Sequence, residues 1–218
     1  MPKLGSETTL FYKIVAYVVR SCLKIFGKVD ITGMDNVPPY GPLIVVMNHL
    51  SYNDPPLIAS MLTRPLDFLG KKELFINPLM RFLMQKFRVY PINRSAGAEA
   101  MNVAMGLLDW DHALGIFPEG QRSPTGTLQS AKPGAAYLAL KSQAPILPIG
   151  VYGTEKYPPW RMLFPFRKLY INIGEPFSLP VIEGVYSRGV ITGASNMIMT
   201  RLADLLPDEY KDETARTS

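Results

Sequence analysis

The stretch at residues 43–56 reads LIVVMNHLSYNDPP, and it joins an apolar run to a polar turn and two prolines. The run Leu43–Met47 is typical of a β-strand. The turn after it carries His49 and Asp54 where the strand ends, which is where α/β sheets place their ligands. The two prolines after Asp54 lack N–H groups and disfavour helical backbone before them, so a helix should begin here with Asp54 near its cap. The stretch predicts a strand, a ligand-binding turn and a helix.

The same alternation of short apolar runs and helix-like segments continues along the chain and predicts an α/β fold. The predicted strands are Leu43–Met47, Leu66–Gly70, Val89–Ile92, Ala113–Phe117, Ile146–Val151 and Leu169–Ile173. The predicted helices are Pro56–Leu62, Pro78–Phe87, Ala96–Trp110, Gly134–Ser142 and Ile191–Leu206. We expect a single domain over residues 29–207, with a mixed, mostly parallel sheet flanked by helices, and a polar, frayed tail at 208–218.

The segment at residues 1–28 is predicted to be a membrane-associating amphipathic helix. Its apolar stretch from Leu10 to Phe26 is interrupted by three cations, each of which costs about 2.5–3.5 kcal/mol at a bilayer centre, so spanning is disfavoured. On a helical wheel the cations form one narrow stripe, and the apolar residues opposite are Phe11, Val15, Val18, Cys22 and Ile25. The helix either lies in the headgroup plane of an anionic membrane or packs on the domain with its basic stripe in water.

The amino-acid composition favours some classes of binding partner but does not identify one. The 218 residues are 47% hydrophobic and 19% charged, with a formal net charge of +5. The mean hydropathy of +0.07 is high for a freely soluble protein and favours some contact with lipid. The positive charge favours nucleic acid, an anionic bilayer or a phosphorylated substrate. Cys22 is the only cysteine, which excludes an internal disulfide and fits a reducing compartment.

His49 and Asp54 are the candidate catalytic pair. On a regular helix, residues five apart would point about 140° away from each other, so a contact requires His49 in the turn and Asp54 at the helix start. With few N–H donors after it, the Asp54 carboxylate can turn to the imidazole, hold one tautomer and stabilise the imidazolium. His112 has no such setting and is predicted to be a surface or loop residue.

A second polar turn, Phe117–Ser123, also follows a predicted strand. Glu119 could accept a hydrogen bond from a substrate hydroxyl, and Arg122 could hold a phosphate in a bidentate manner. Gly120 in this turn, Arg94 after another strand, and Lys132 complete the predicted substrate-binding set. A surface ion pair at the turn and solvated lysines are the ordinary alternatives.

Four blocks, taken in order, resemble the glycerolipid acyltransferase family of 1-acyl-glycerol-3-phosphate and glycerol-3-phosphate acyltransferases. Asn48-His49 with Asp54 resembles the family's N-H-x4-D block, and residues 117–123, FPEGQRS, resemble its F-P-E-G-T-R-S block with Gln121 in place of Thr. Residues 91–94, PINR, are similar to the Arg-bearing second block, and residues 145–148, PILP, to the apolar fourth block.

The resemblance implies acyl transfer from a thioester, acyl-CoA or acyl carrier protein, to the free hydroxyl of a lysophospholipid, with 1-acyl-glycerol-3-phosphate giving phosphatidic acid as the leading reaction. It implies that His49 is the general base and Asp54 its orienting acid, that Arg94 and Arg122 grip the phosphate, and that Glu119 holds the glycerol. No metal or resident cofactor is implied. We expect a peripheral or monotopic protein on the cytoplasmic face of an anionic membrane.

Other functions remain open at this point. The acceptor could be glycerol-3-phosphate or another lysolipid, and the same pair could activate water in a thioesterase, although a G-x-S-x-G serine elbow is absent. A non-enzymatic lipid-binding protein would have no need of the catalytic pair. Nucleic acid is not expected as a partner, because the cations are scattered beside carboxylates and no binding motif occurs. The sequence does not indicate an oligomeric state.

Overall fold

The computed structural model describes residues 10–26, 28–93, 97–156 and 168–211 of the chain. Six helices lie in this part: α1 Leu10–Phe26, α2 Asp54–Met61, α3 Pro78–Lys86, α4 Gly97–Asp109, α5 Pro133–Ser142 and α6 Arg188–Ala203. The strands are β1 Lys28–Thr32, β2 Leu43–Met47, β3 Leu66–Lys71, β4 Val89–Ile92, β5 Ala113–Ile116, β6 Ile146–Tyr152 and β7 Lys168–Ile173.

The seven strands form one sheet in the order β1-β7-β6-β2-β5-β3-β4. The five strands from β6 to β4 in this order pair in parallel, whereas β7 is antiparallel to β6, and β1 is parallel to β7. The predicted mixed, mostly parallel sheet is therefore confirmed. The carboxyl ends of the five parallel strands share one edge, which we call the carboxyl edge, and their amino ends share the opposite amino edge.

The central strand β2 is buried on both faces and joins two parts of the core. Alternate residues of a strand point to opposite faces of the sheet. Leu43, Val45 and Met47 pack in the cluster that contains α1 and α2, and Ile44 and Val46 pack in the cluster that contains α4, α5 and α6. Helices thus cover both faces of the sheet. All five residues of β2, which leads into the turn that carries His49, are completely buried.

Helix α1 packs on this core through a face that lies beside the apolar face identified on the helical wheel. Tyr12, Val19 and Leu23 are buried against the α2 side of the sheet, about a quarter-turn from the predicted apolar face. Arg20 does not simply point into water, because its guanidinium donates to the Ser60 carbonyl at 2.8 and 3.2 Å. Val18 and Ile25, on the apolar face identified on the helical wheel, are 44% and 72% exposed, so that part of the face does not pack on the domain. The helix and the domain share one core.

Most predicted elements are observed within one to three residues of their predicted ends. Helix α2 begins at Asp54 rather than Pro56, because the first turn of a helix needs no N–H donors and accepts proline. The tail does not fray at once: Tyr210 is buried, and its hydroxyl donates to Glu155 at 2.9 Å. Its ring supplies apolar contact that the polar composition of the tail conceals. Residues 212–218 lie outside the described residues.

Candidate active site

The catalytic pair predicted from the sequence meets at the carboxyl edge. His49 lies in the turn after β2 and Asp54 is the first residue of α2, and His49 Nδ1 lies 2.9 Å from Asp54 Oδ2. A carboxylate only accepts hydrogen bonds, so the proton of the neutral imidazole resides on Nδ1 and Nε2 carries the lone pair. The His49 side chain is 15% exposed and that of Asp54 is fully buried. The arrangement is that of a general base with an orienting acid behind it.

Asp54 accepts more hydrogen bonds than the sequence argument anticipated. Its Oδ2 also accepts the backbone N–H groups of Leu50 and Ser51, both at 2.7 Å, from the turn that precedes it. Its Oδ1 accepts the hydroxyl of Thr154 at 2.6 Å. These donors compensate for the desolvation of a buried carboxylate and fix its plane. Ser51 serves as a turn residue, since its Oγ accepts the Asn53 N–H.

The second polar turn holds the backbone of His49 from two sides. Glu119 Oε1 accepts the His49 N–H at 2.8 Å, and the His49 carbonyl accepts the Ser123 N–H at 2.8 Å. The Phe117 ring stacks on the imidazole with centroids 4.0 Å apart and planes 25° apart. His49 itself belongs to the turn after β2, and its contacts with Glu119, Ser123 and Phe117 come from the second polar turn. Both turns therefore fix the position of the imidazole.

Glu119 is placed differently from a residue that is free to contact substrate. It is 2% exposed, and its second oxygen accepts the Gln129 N–H at 3.0 Å. Burial, with a smaller contribution from the nearby charge of Asp54, raises the pKa of Glu119 to about 7, although the two backbone hydrogen bonds act to lower this pKa. This geometry supports a positioning role for the carboxylate. Its predicted contact with the glycerol stays a prediction.

Two of the predicted cations flank the same turn. The Arg122 guanidinium lies over the Tyr52 ring at 3.7 Å and donates to the Tyr52 hydroxyl at 3.0 Å. The Lys132 side chain crosses Gly120, where an added Cβ would come within 2.7 Å of Lys132 Cδ and 3.2 Å of its Nζ. Gly120 also has a φ of +72°, which favours glycine. Both cations are exposed.

Arg94, the fifth predicted substrate-binding residue, lies outside the described residues. No group of three or more metal-ligating side chains occurs within the described ranges. In the same ranges, no helix has the length and hydropathy required to cross a membrane.

The prediction that His112 is a surface or loop residue is only half right, because His112 lies in the connection before β5 but is not at the surface. Its ring is buried at the amino edge, where Nδ1 lies 3.0 Å from Asp67 Oδ2. Arg88 holds the same carboxylate through two hydrogen bonds of 2.8 and 2.9 Å. No local pattern predicts this cluster, because Asp67 and Arg88 are 45 and 24 residues from His112 and meet it only through strand pairing.

Asn48 and Thr154 contribute to the site although no role was predicted for their side chains. The Asn48 amide exchanges two hydrogen bonds of 2.8 Å with the backbone of Val151, and so fastens the end of β2 to the end of β6. The position of Asn48 beside His49 is a signal that could have been used. Thr154 is a hundred residues from Asp54 and lies in no recognisable block.

Comparison with known proteins gives a consistent family. The family model for acyltransferases matches residues 28–152, which is more than half of the chain. The chain is 29% identical over 148 residues to the 1-acyl-sn-glycerol-3-phosphate acyltransferase of Borreliella burgdorferi, covering 64% of this chain and 59% of that protein. It is 33% identical over 138 residues to a chloroplast 1-acyl-sn-glycerol-3-phosphate acyltransferase of Brassica napus, of which it spans 40%. A Bacillus subtilis protein with the same enzyme name is 24% identical, with 89% of this chain and 96% of that protein covered.

A solved structure agrees over nearly the whole chain. The crystal structure of the 1-acyl-sn-glycerophosphate acyltransferase from Thermotoga maritima superposes with a TM-score of 0.70 at 25% identity. The match covers 95% of this chain and 80% of that one.

Proposed function

The chain belongs to the acyltransferase family, and from this premise we propose that it transfers an acyl group from a thioester to the free hydroxyl of 1-acyl-glycerol-3-phosphate, giving phosphatidic acid. The observation that carries the proposal is the His49–Asp54 hydrogen bond at the carboxyl edge of the sheet. The names of the relatives support the choice of acceptor. The acyl donor in this proposal is acyl-CoA or an acyl carrier protein.

In the proposed reaction, His49 Nε2 accepts the proton of the acceptor hydroxyl while the hydroxyl oxygen attacks the thioester carbonyl carbon. The new C–O bond forms as the C–S bond breaks, and the imidazolium returns the proton to the departing thiolate. Asp54 stays ionised and stabilises the imidazolium between these steps. The acceptor oxygen is itself the nucleophile, so no acyl-enzyme forms and Ser51 keeps its role in the turn.

Arg122 and Lys132 bind the acceptor phosphate in this proposal, and Arg94 is the third predicted phosphate ligand. The guanidinium of Arg122 offers a planar pair of donors that suits phosphate oxygens. Tyr52 orients it, since the ring and the hydroxyl of Tyr52 both contact the guanidinium. The hydrogen bond from Ser123 to His49 links the turn that carries Arg122 to the base.

We also propose that the protein binds the cytoplasmic face of an anionic membrane through the exposed sides of α1 and α3. This α1–α3 face consists of exposed apolar side chains on both helices: Leu10, Ile14, Tyr17, Val18, Ile25, Leu79 and Phe82. Phe11 joins the helices, with ring centroids 5.9 Å from Phe82 and 6.2 Å from Phe87. Lys13 and Arg81 on the same helices are exposed and suit an anionic surface.

The reaction is tested with the purified chain, acyl-CoA and acyl carrier protein as alternative donors, and a panel of acceptors that includes 1-acyl-glycerol-3-phosphate, glycerol-3-phosphate and lysolipids with other headgroups. We expect labelled acyl groups to appear in phosphatidic acid. Label in another ester would correct the acceptor. Release of free fatty acid alone would indicate a thioesterase, and binding without turnover a lipid-binding protein.

Membrane contact is tested by flotation with vesicles that contain anionic phospholipid. Ile14→Glu and Ile25→Glu place a charge in the α1–α3 face and are expected to weaken binding at least several-fold, because burying a carboxylate in the interface is costly. Val185→Glu is the matched control, since Val185 is 97% exposed and lies in the loop before α6. Equal binding by all three variants would contradict the assignment of this face.

A further inference from the structure

Thr154 stands at the back of the active site, on the opposite side of the Asp54 carboxylate from the imidazole. It follows β6 in a short 3-10 turn, Thr154–Lys156, and is 1% exposed. Its hydroxyl donates to Asp54 Oδ1 at 2.6 Å, whereas the donors from His49, Leu50 and Ser51 all reach Oδ2. The Thr154 hydroxyl thus fixes the position of Oδ1, the carboxylate oxygen that does not contact the imidazole.

The chain is shaped to bring Thr154 to this place. Asn48 fastens the end of β2 to Val151 of β6 through two hydrogen bonds. Gly153 then turns the backbone with a φ of +89°, and an added Cβ there would lie 2.8 Å from the Lys168 carbonyl oxygen. Glycine is therefore required just before Thr154. The turn directs the hydroxyl back across the sheet edge to α2.

From this geometry we propose that Thr154 is a positioning residue of the transfer reaction, which acts through Asp54 and does not touch substrate. A carboxylate held at one oxygen only can rotate about its bond to the side chain, and rotation moves Oδ2 away from Nδ1. With the hydroxyl in place, both oxygens are fixed and the imidazole is presented to the acceptor in one orientation. The inference rests on the proposed function of the His49–Asp54 pair.

Thr154→Val removes the hydroxyl and nearly preserves the shape of the side chain. We expect kcat to fall roughly tenfold or more, because misplacement of a catalytic group by about 1 Å can cost about 100-fold in rate. KM for donor and acceptor should change less than about twofold, since Thr154 is buried behind the pair. Thr154→Ser retains the hydroxyl and should restore kcat to within a few-fold of the parent.

A double-mutant cycle with Asp54→Asn separates positioning from general support of the fold. If Thr154 acts through the carboxylate, Thr154→Val should have little further effect on kcat in the Asp54→Asn background. An equal loss in both backgrounds would overturn the proposal, as would a folded Thr154→Val enzyme with parental kcat. Should Thr154→Val not fold, Thr154→Ser and Thr154→Cys compare a strong donor with a weak one, and equal kcat values for that pair would also overturn it.

The activity of His49→Ala keeps the two proposals distinguishable. If His49→Ala retains parental transfer, the proposed function fails, whatever Thr154 does. If His49→Ala is inactive and Thr154→Val is unaffected, only the positioning role of Thr154 fails.

Discussion

Two histidine–aspartate pairs occupy opposite edges of the same sheet, and their hydrogen bonds are nearly equal in length. His49 and Asp54 are 2.9 Å apart at the carboxyl edge, and His112 and Asp67 are 3.0 Å apart at the amino edge. The pairs differ in what surrounds them. Asp54 accepts two backbone N–H groups, a hydroxyl and the imidazole, whereas Asp67 is held by the guanidinium of Arg88.

In the proposed function, this difference favours His49 over His112 as the general base. Asp54 has only neutral donors among its described hydrogen bonds, so its negative charge is available to stabilise an imidazolium at His49. At Asp67 the negative charge is already neutralised by Arg88. Burial acts to lower the pKa of Arg88, but its hydrogen bond and charge interaction with Asp67 raise this pKa overall. The Nε2 atom of His112 is buried without a hydrogen-bond partner among the described residues, so a substrate cannot reach it. A His–Asp contact alone is not a sign of catalysis.

Exchanging each histidine for asparagine should separate the two pairs most strongly. The asparagine amide can still donate to the aspartate but cannot accept a proton from the acceptor. We expect His49→Asn to lose about 10²–10⁴-fold in kcat, the usual contribution of a general base. His112→Asn should keep transfer within a few-fold per folded molecule. Steady-state transfer assays with a folding check by circular dichroism measure both, and comparable losses of kcat would remove the distinction.

Exchanging each aspartate for asparagine tests the same contrast through stability. Asp67→Asn leaves the largely buried guanidinium of Arg88 without its counter-charge and should lower the free energy of unfolding by about 3 kcal/mol, with transfer per folded molecule retained. Asp54→Asn should instead lower kcat by about 100-fold or more, because the imidazolium loses its stabilising charge. Urea unfolding and transfer assays on both variants provide the measurement. A stability loss confined to Asp54→Asn would reverse our assignment.

Glu119 sharpens the comparison, since it is a buried carboxylate at the carboxyl edge that accepts two backbone N–H groups. The pKa of Glu119 is raised from 4.5 to about 7 in the folded state. Between these two pH values Glu119 is therefore protonated to a greater extent in the folded state than in the unfolded state. The contribution of Glu119 to stability is thus largest at low pH and is lost as the pH rises through about 7, by up to about 3 kcal/mol.

Urea unfolding of the parent and of Glu119→Gln at several values between pH 5 and 8 tests this sign. As the pH rises, the unfolding free energy of the parent should fall relative to that of Glu119→Gln. A difference that does not depend on pH would show that Glu119 titrates with its ordinary pKa.

The sequence predicted the parts of the molecule that are set by local patterns. Six strands were recognisable because they are short apolar runs with turn residues at their ends, whereas β1 was missed because it lies at the sheet edge and none of its described side chains is buried. His49 and Asp54 were found because a turn and a helix start bring residues five apart together. Arg122 and Glu119 were found through their turn, but the burial of Glu119 was not evident from it.

The parts that were missed depend on contacts between distant segments. Thr154 reaches Asp54 only because β6 pairs with β2, and His112 reaches Asp67 only because β5 pairs with β3. Strand order cannot be read from a single sequence by periodicity, so neither contact could be predicted. The side of α1 that packs on the domain was not predicted for a related reason: the wheel ranks hydrophobicity, but the shape of α2 and the sheet determines which side chains fit.

The backbone N–H of His49 donates to Glu119, and its carbonyl accepts the N–H of Ser123. In the sequence, Arg122 lies between these two partners. In the proposed reaction, headgroup recognition by Arg122 and proton abstraction by His49 would therefore be connected through these hydrogen bonds. An acceptor whose phosphate binds Arg122 would then also restrict the motion of His49, whereas an acceptor without a phosphate would not. Discrimination between acceptors would then be expressed in the speed of the chemical step as well as in occupancy.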